Sequence, residues 1–251
     1  MNTLERTLIE KAGYAHGWEN VKESTPERVV LFSARHKAEA HITPTATPMV
    51  WSVLFPKGPP TGELLVGLSA LHDGGDTFRA ECETSLGRLL RRAAELAMSL
   101  PNSAAEQYAA EVAKLEAAPP SSTEVLALVK QRRGQDIFRK ALMDYWSGAC
   151  AVTGIAVPEL LRASHAKPWA DCATDEERLN VFNGFLLCAH LDALFDRGLM
   201  TFDEKGTGQF SSHLDSATRS KLGLENTIQL RWLNPQHETF LAWHRQNVFR
   251  C

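Results

Sequence analysis

Two adjacent prolines, Pro119 and Pro120, lie in the run Ala118-Pro119-Pro120-Ser121-Ser122 near the middle of the chain. A proline ring removes a backbone N–H and clashes with the preceding turn, so no helix continues through this run. Ser122 or Thr123 is placed to cap a helix that begins after it. The 251 residues therefore read as two α+β domains: one over 1–117, a linker over 118–123, and a second over 124–251.

In the first domain, Leu4, Leu8, Ile9 and Ala12 recur at helical spacing over 3–13, with Gly13 at the C-terminal end. Strands are expected over 28–33, 36–43 and 49–55, where β-branched or alternating residues are separated by turn residues, and a further strand over 63–71. Leu86, Leu89, Leu90, Ala93 and Ala97 predict a helix over 77–100, and an alanine-rich helix follows over 103–117. Trp18, Trp51, Tyr14 and Phe55 can line a pocket for an extruded base or simply form the core.

Composition narrows the class of protein. Hydrophobic residues make up 44% and charged residues 23%, as in an ordinary globular protein. No run approaches the roughly 18 apolar residues that span a bilayer, and the N-terminus lacks a charged-then-apolar signal pattern, so a cytoplasmic protein with no membrane partner is expected. The five cysteines, an odd number, form no CxxC pair. A structural Zn²⁺ site is not expected, and Cys150 and Cys188 read as small buried hydrophobes.

The net charge is −3, which is not that of a polycation. Its distribution is uneven. Over 128–170, Lys130, Arg132, Arg133, Arg139, Lys140, Arg162 and Lys167 face only Asp136, Asp144 and Glu159. Such a run is either a solvated face or a set of phosphate contacts.

The second domain holds the densest polar chemistry. Helices are expected over 123–129 and 135–146, separated at Gly134, then a turn over 150–155. An apolar strand over 160–165 ends at His165; a polar helix over 175–179, a strand over 185–188 and a helix over 189–196 follow. Gly198 stops that helix, a hairpin turns around Gly206 and Gly208, and a helix lies within 235–249. His190, Asp192 and Asp196 all fall on the helix, with Asp192 and Asp196 at i and i+4 on one face.

Taken in order, Phe138-Arg139, Tyr145, Cys150-Ala151-Val152-Thr153-Gly154, Ala163-Ser164-His165, Lys167-Pro168-Trp169, Glu177-Arg178, Asn183-Gly184, Leu191 to Gly198 and Trp243-His244-Arg245 form an arrangement that resembles the HNH endonuclease family, most closely the type found in bacterial restriction and phage-defence proteins. The resemblance spans roughly 124–251. It implies a ββα-metal fold with extra helices and a nuclease that hydrolyses DNA phosphodiester bonds. It implies His165 as the base that activates water and Asn183 as the residue that holds the loop and the base in place. It also implies one divalent ion, for which Asp192 and Asp196 are the candidate ligands and His190 a competing one.

Two positions depart from the family pattern: the third motif histidine is Asp192, and Ser164 stands where many members carry a metal ligand. An oxygen-rich ligand set suits Mg²⁺, with Mn²⁺ as the alternative. Arg139, Lys140, Lys167 and Arg197 are the candidate DNA contacts. The first domain would select the target, sense a signal, or form a homodimer so that two centres cut both strands. Two other readings are a catalytically degenerate DNA-binding or regulatory protein and a delivered nuclease toxin.

Overall fold

The computed structural model describes residues 1–100, 103–117, 122–224 and 226–250. Most of the expected linker, 118–121, lies outside the described residues. The chain divides into two compact units, Met1–Met98 and Ser99–Cys251, each a mixture of helix and sheet. The division therefore precedes the proline run. The alanine-rich helix goes with the second unit because it buries Ala104 and Tyr108 and packs on the two helices that follow it.

In the first unit, α1 (Thr3–Ala15) starts with a capping box: Asn2 accepts from the Glu5 N–H, and the Glu5 carboxylate accepts from the Asn2 N–H. A five-stranded antiparallel sheet runs in chain order: β1 (Asn20–Ser24), β2 (Val29–Phe32), β3 (Glu39–Pro44), β4 (Trp51–Lys57) and β5 (Thr77–Ala80). Between β4 and β5 lies α2 (Thr61–Leu68), and α3 (Glu83–Ser99) follows β5.

Three sequence expectations change here. The apolar run at 63–71 is helical, because a short apolar run carries no periodicity that separates strand from helix. Residues 77–80 form β5 ahead of α3, with Phe78 and Ala80 alternating into the core. The edge strand β1 went unseen because it buries no residue fully. Leu86, Leu89, Leu90 and Ala93 of α3 are fully buried, and Trp18 Nε1 donates to the Leu90 carbonyl at 2.9 Å.

The second unit opens with α4 (Ser103–Ala117) and α5 (Thr123–Tyr145). The helix α5 runs unbroken through Gly134. A side chain there would put its Cβ 2.2 Å from the Trp169 ring, so glycine provides a notch for an indole rather than a break. Next come β6 (Leu161–His165), α6 (Asp175–Leu179), β7 (Gly184–Cys188) and α7 (Ala189–Asp196). Then follow a small hairpin of β8 (Met200–Phe202) and β9 (Gly208–Phe210), α8 (Ser216–Lys221), which the sequence reading omitted, and α9 (His237–Asn247).

The β6 and β7 strands pair antiparallel from Leu161 opposite Cys188 to His165 opposite Gly184. Every residue of β7 is buried, because α5 and α7 both pack on it. Phe185, Phe195 and Phe202 meet at 5.4 to 5.8 Å between ring centroids, joining strand, helix and hairpin in one apolar core. No helix among the described residues is long and apolar enough to cross a membrane.

Candidate active site

The β6–β7 hairpin and α7 place the candidate residues. His165 is the last residue of β6, opposite Gly184. A Cβ at Gly184 would lie 2.4 Å from the Ser164 carbonyl oxygen and 2.7 Å from the Phe138 ring. The bare backbone at Gly184 lets Phe138 of α5 come up beneath the pair, and the His165 ring stacks on Phe138 at 3.8 Å, with Trp169 edge-on at 5.9 Å.

His165 Nε2 lies 2.8 Å from the Arg178 carbonyl oxygen. A carbonyl only accepts, so Nε2 carries the proton and Nδ1 keeps its lone pair. Burial pushes the imidazole pKa down to about 4, against a smaller upward pull from that same carbonyl. At neutral pH the ring is thus an uncharged base of fixed tautomer.

Asn183 is fully buried and works as a clamp. Its Oδ1 accepts from the Lys167 N–H at 2.8 Å, and its Nδ2 donates to the carbonyls of Lys167 and Glu177 and to Cys172 Sγ at 3.1 to 3.3 Å. It ties the turn after His165 to α6. The same helix carries the Arg178 carbonyl that fixes the imidazole, while the Arg178 guanidinium donates to the carbonyls of Trp169 and Cys172.

The acidic residues of α7 have different surroundings. Ser164 is buried and its Oγ donates to Asp192 Oδ1. Asp196 lies one turn further on and is exposed. Its pKa is pushed up to about 6, first by partial loss of hydration and then by the negative charge of Asp192, with Arg197 pulling the other way. His190 is exposed on the first turn of α7. Among the described residues, no three His, Cys, Asp or Glu side chains gather as a metal-holding group, so the expected trio of Asp192, His190 and Asp196 is not brought together.

The basic candidates divide into committed and available groups. Arg139 donates to the carbonyls of Leu161 and Pro158 at 2.7 and 2.9 Å, fastening α5 to the start of β6. The Lys167 ammonium pairs with Glu177 at 2.9 Å. Lys140 and Arg197 are exposed.

A cavity of about 610 Å³ opens at the hairpin, with His165, Trp169, Asp196, Arg197 and Arg250 in its wall. His244 also reaches it, but this ring is held in place, stacked on Phe195 at 3.9 Å and hydrogen-bonded to Thr201 and to the Phe195 carbonyl. The sequence reading assigned no role to Phe138, Trp169 or the Arg178 carbonyl, although all three residues lie in the motif set; Arg250 gave no signal at all.

In the first unit, Trp18, Trp51 and Phe55 are buried in the core and Tyr14 is exposed, so the four aromatics do not line a common pocket. Cys150 and Cys188 are buried, and Cys150 Sγ accepts from the Cys188 N–H at 3.4 Å.

No curated protein matches the chain. Residues 150–203, which contain β6, α6, Asn183, β7 and α7, match the HNH endonuclease family.

Proposed function

We propose that the protein is a divalent-metal-dependent DNA endonuclease of restriction or phage-defence type, with His165 as the general base. The observation that carries this reading is the state of His165. It is an uncharged imidazole whose Nε2 is spent on the Arg178 carbonyl, leaving Nδ1 as acceptor, in the wall of a cavity shared with Asp196 and Arg197. Such a nitrogen can take a proton from water attacking a phosphodiester. The restriction or defence role rests on the resemblance of the ordered motif set.

The donor chemistry of α7 fits a hard cation. Asp192 and Asp196 lie close enough for the charge of one to raise the pKa of the other, a repulsion that a cation relieves. Mg²⁺ and Mn²⁺ are commonly held by one or two carboxylates, with water and substrate phosphate completing the shell. Asp192 and Asp196 would therefore hold the ion, which when bound supplies charge neutralisation to the phosphate and the leaving oxygen. Ser164 fixes the orientation of the Asp192 carboxylate. Asn183 and α6 keep the loop after β6, and with it His165, in register. The first unit serves target selection in this reading; the homodimer expected as one of its roles gains no support.

The test is incubation of the purified full chain with supercoiled plasmid, unmodified and base-modified, with Mg²⁺ or Mn²⁺ and with EDTA. Nicking or linearisation that needs the metal and disappears in His165→Ala is expected. Undiminished cutting by His165→Ala would overturn the assignment of the base. DNA binding without cutting under either ion would favour a catalytically degenerate regulator, in which the Ser164–Asp192 hydrogen bond closes the carboxylate off.

A further inference from the structure

We propose that Arg250, carried into the cavity by the segment that follows α9, contacts a DNA phosphate beside the scissile bond together with Arg197. This inference rests on the endonuclease reading and adds to it a substrate contact that lies outside the hairpin and α7.

Three observations lead to it. First, two of the four cations that the sequence nominated as phosphate contacts are structural: Arg139 holds two backbone carbonyls and Lys167 pairs with Glu177. The cavity wall instead presents the exposed guanidinium-bearing residues Arg197 and Arg250, alongside the single carboxylate of Asp196. Counted over the wall residues themselves, two guanidinium groups face one carboxylate, a balance that favours a polyanion.

Second, the backbone that carries Arg250 is anchored. Val248 and Phe249 both donate to the His244 carbonyl at 2.9 Å, and the Arg250 N–H donates to the Gly198 carbonyl at 2.9 Å. An exposed side chain on an anchored backbone is a preorganised contact, and it sacrifices little main-chain freedom on binding.

Third, Gly198 is shaped for this docking. Its φ is +66°, and a Cβ would lie 2.1 Å from the Val248 carbonyl oxygen. The sequence explains Gly198 as a helix stop, which needs the left-handed conformation but not the close approach. The approach serves the segment that bears Arg250. A planar guanidinium with forked donors matches the oxygens of a phosphodiester and keeps its charge at every working pH.

The experiment uses the full chain carrying His165→Ala, so that DNA stays intact, with a fluorescein-labelled DNA duplex in Mg²⁺ and anisotropy read across a salt series. Adding Arg250→Gln is expected to weaken binding about tenfold at low salt and to reduce the slope of log K against log salt by about 0.9, the release of one phosphate counterion. Adding Arg250→Lys is expected to retain the slope. A slope and affinity for Arg250→Gln equal to those of the His165→Ala reference, in a protein whose wild type cuts DNA, would overturn the Arg250 assignment alone. A reference protein that binds no duplex, with a wild type that cuts none, would overturn the endonuclease reading and this inference together. Equal thermal midpoints of the two variants show that a changed slope is not a folding effect.

Discussion

Acidification from pH 7.5 to 5 should strongly destabilise the second unit, and three buried histidines set the size of the effect. His165, His237 and His244 each have a pKa pushed down to about 4 by burial, against about 6.5 in an unfolded chain. Between these values the unfolded chain binds more protons than the folded one, so stability rises with pH there. It is fully present above about 6.5 and is lost as pH falls toward 4. Each histidine then contributes at most about 1.2 kcal/mol per pH unit, and about 2 kcal/mol of lost stability at pH 5. Three together give about 6 kcal/mol, which rivals the whole stability of a typical domain. Asp196, with its pKa raised, works in the opposite direction and offsets part of the loss.

The assay is urea unfolding at several pH values between 7.5 and 5, followed by tryptophan fluorescence. The stacked Trp146 and Trp232, 4.4 Å apart, report on the second unit. His237→Phe isolates one contribution. The ring sits among Phe182, Phe185 and Tyr145 at 5.1 to 5.8 Å, and its Nε2 is buried with no hydrogen-bond partner among the described residues. The variant should lower the steepest pH dependence by about 1.2 kcal/mol per pH unit, whatever it does to stability at pH 7.5. A wild type equally stable at pH 7.5 and 5, or a His237→Phe protein with an unchanged slope, would refute the reasoning.

Two further outcomes follow from hydrogen bonds. Asn183→Ala removes the acceptor of the Lys167 N–H and a donor to each of the part-buried carbonyls of Lys167 and Glu177, and should destabilise the second unit by about 2–4 kcal/mol in the same urea titration while lowering DNA cleavage. Arg139→Met removes two charged hydrogen bonds to the start of β6 and should cost about 2–4 kcal/mol, yet leave the salt dependence of DNA binding unchanged, since the guanidinium is spent inside the protein.

The sequence was most informative where chain-local rules apply. The apolar run of β6, the helical spacing of Leu4, Leu8, Ile9 and Ala12 in α1 and the helix from Ala189 to the stop at Gly198 all follow from neighbours in the chain. Its failures share a cause, which is that a residue's role was set by something distant in sequence. Gly134 looked like a break because its low helix propensity is visible in the chain, whereas the Trp169 ring lying against it is not. Arg139 and Lys167 looked available because charge can be counted, while the carbonyls and the carboxylate that occupy them depend on the fold. The spacing of His190, Asp192 and Asp196 showed that they share a short helix, but not that His190 would face solvent and that Ser164 would hold Asp192. The tautomer of His165 was illegible for the same reason: it depends on one carbonyl, that of Arg178, across the loop.

The stacking of His165 on Phe138 has a consequence for what can be inherited as a module. The stretch that matches the family begins at residue 150, whereas the floor beneath the imidazole belongs to α5 and ends before that point. The hairpin's anchoring by Arg139 comes from the same helix, and the cavity wall at Arg250 comes from beyond α9. The stretch that carries the recognisable signature is therefore only part of the compact unit that orients it. Transplanting residues 150–203 into another scaffold would carry the chemistry's vocabulary without the surfaces that give it orientation. A host could accept the graft only by supplying an aromatic ring and a helix of its own in the positions that α5 fills here.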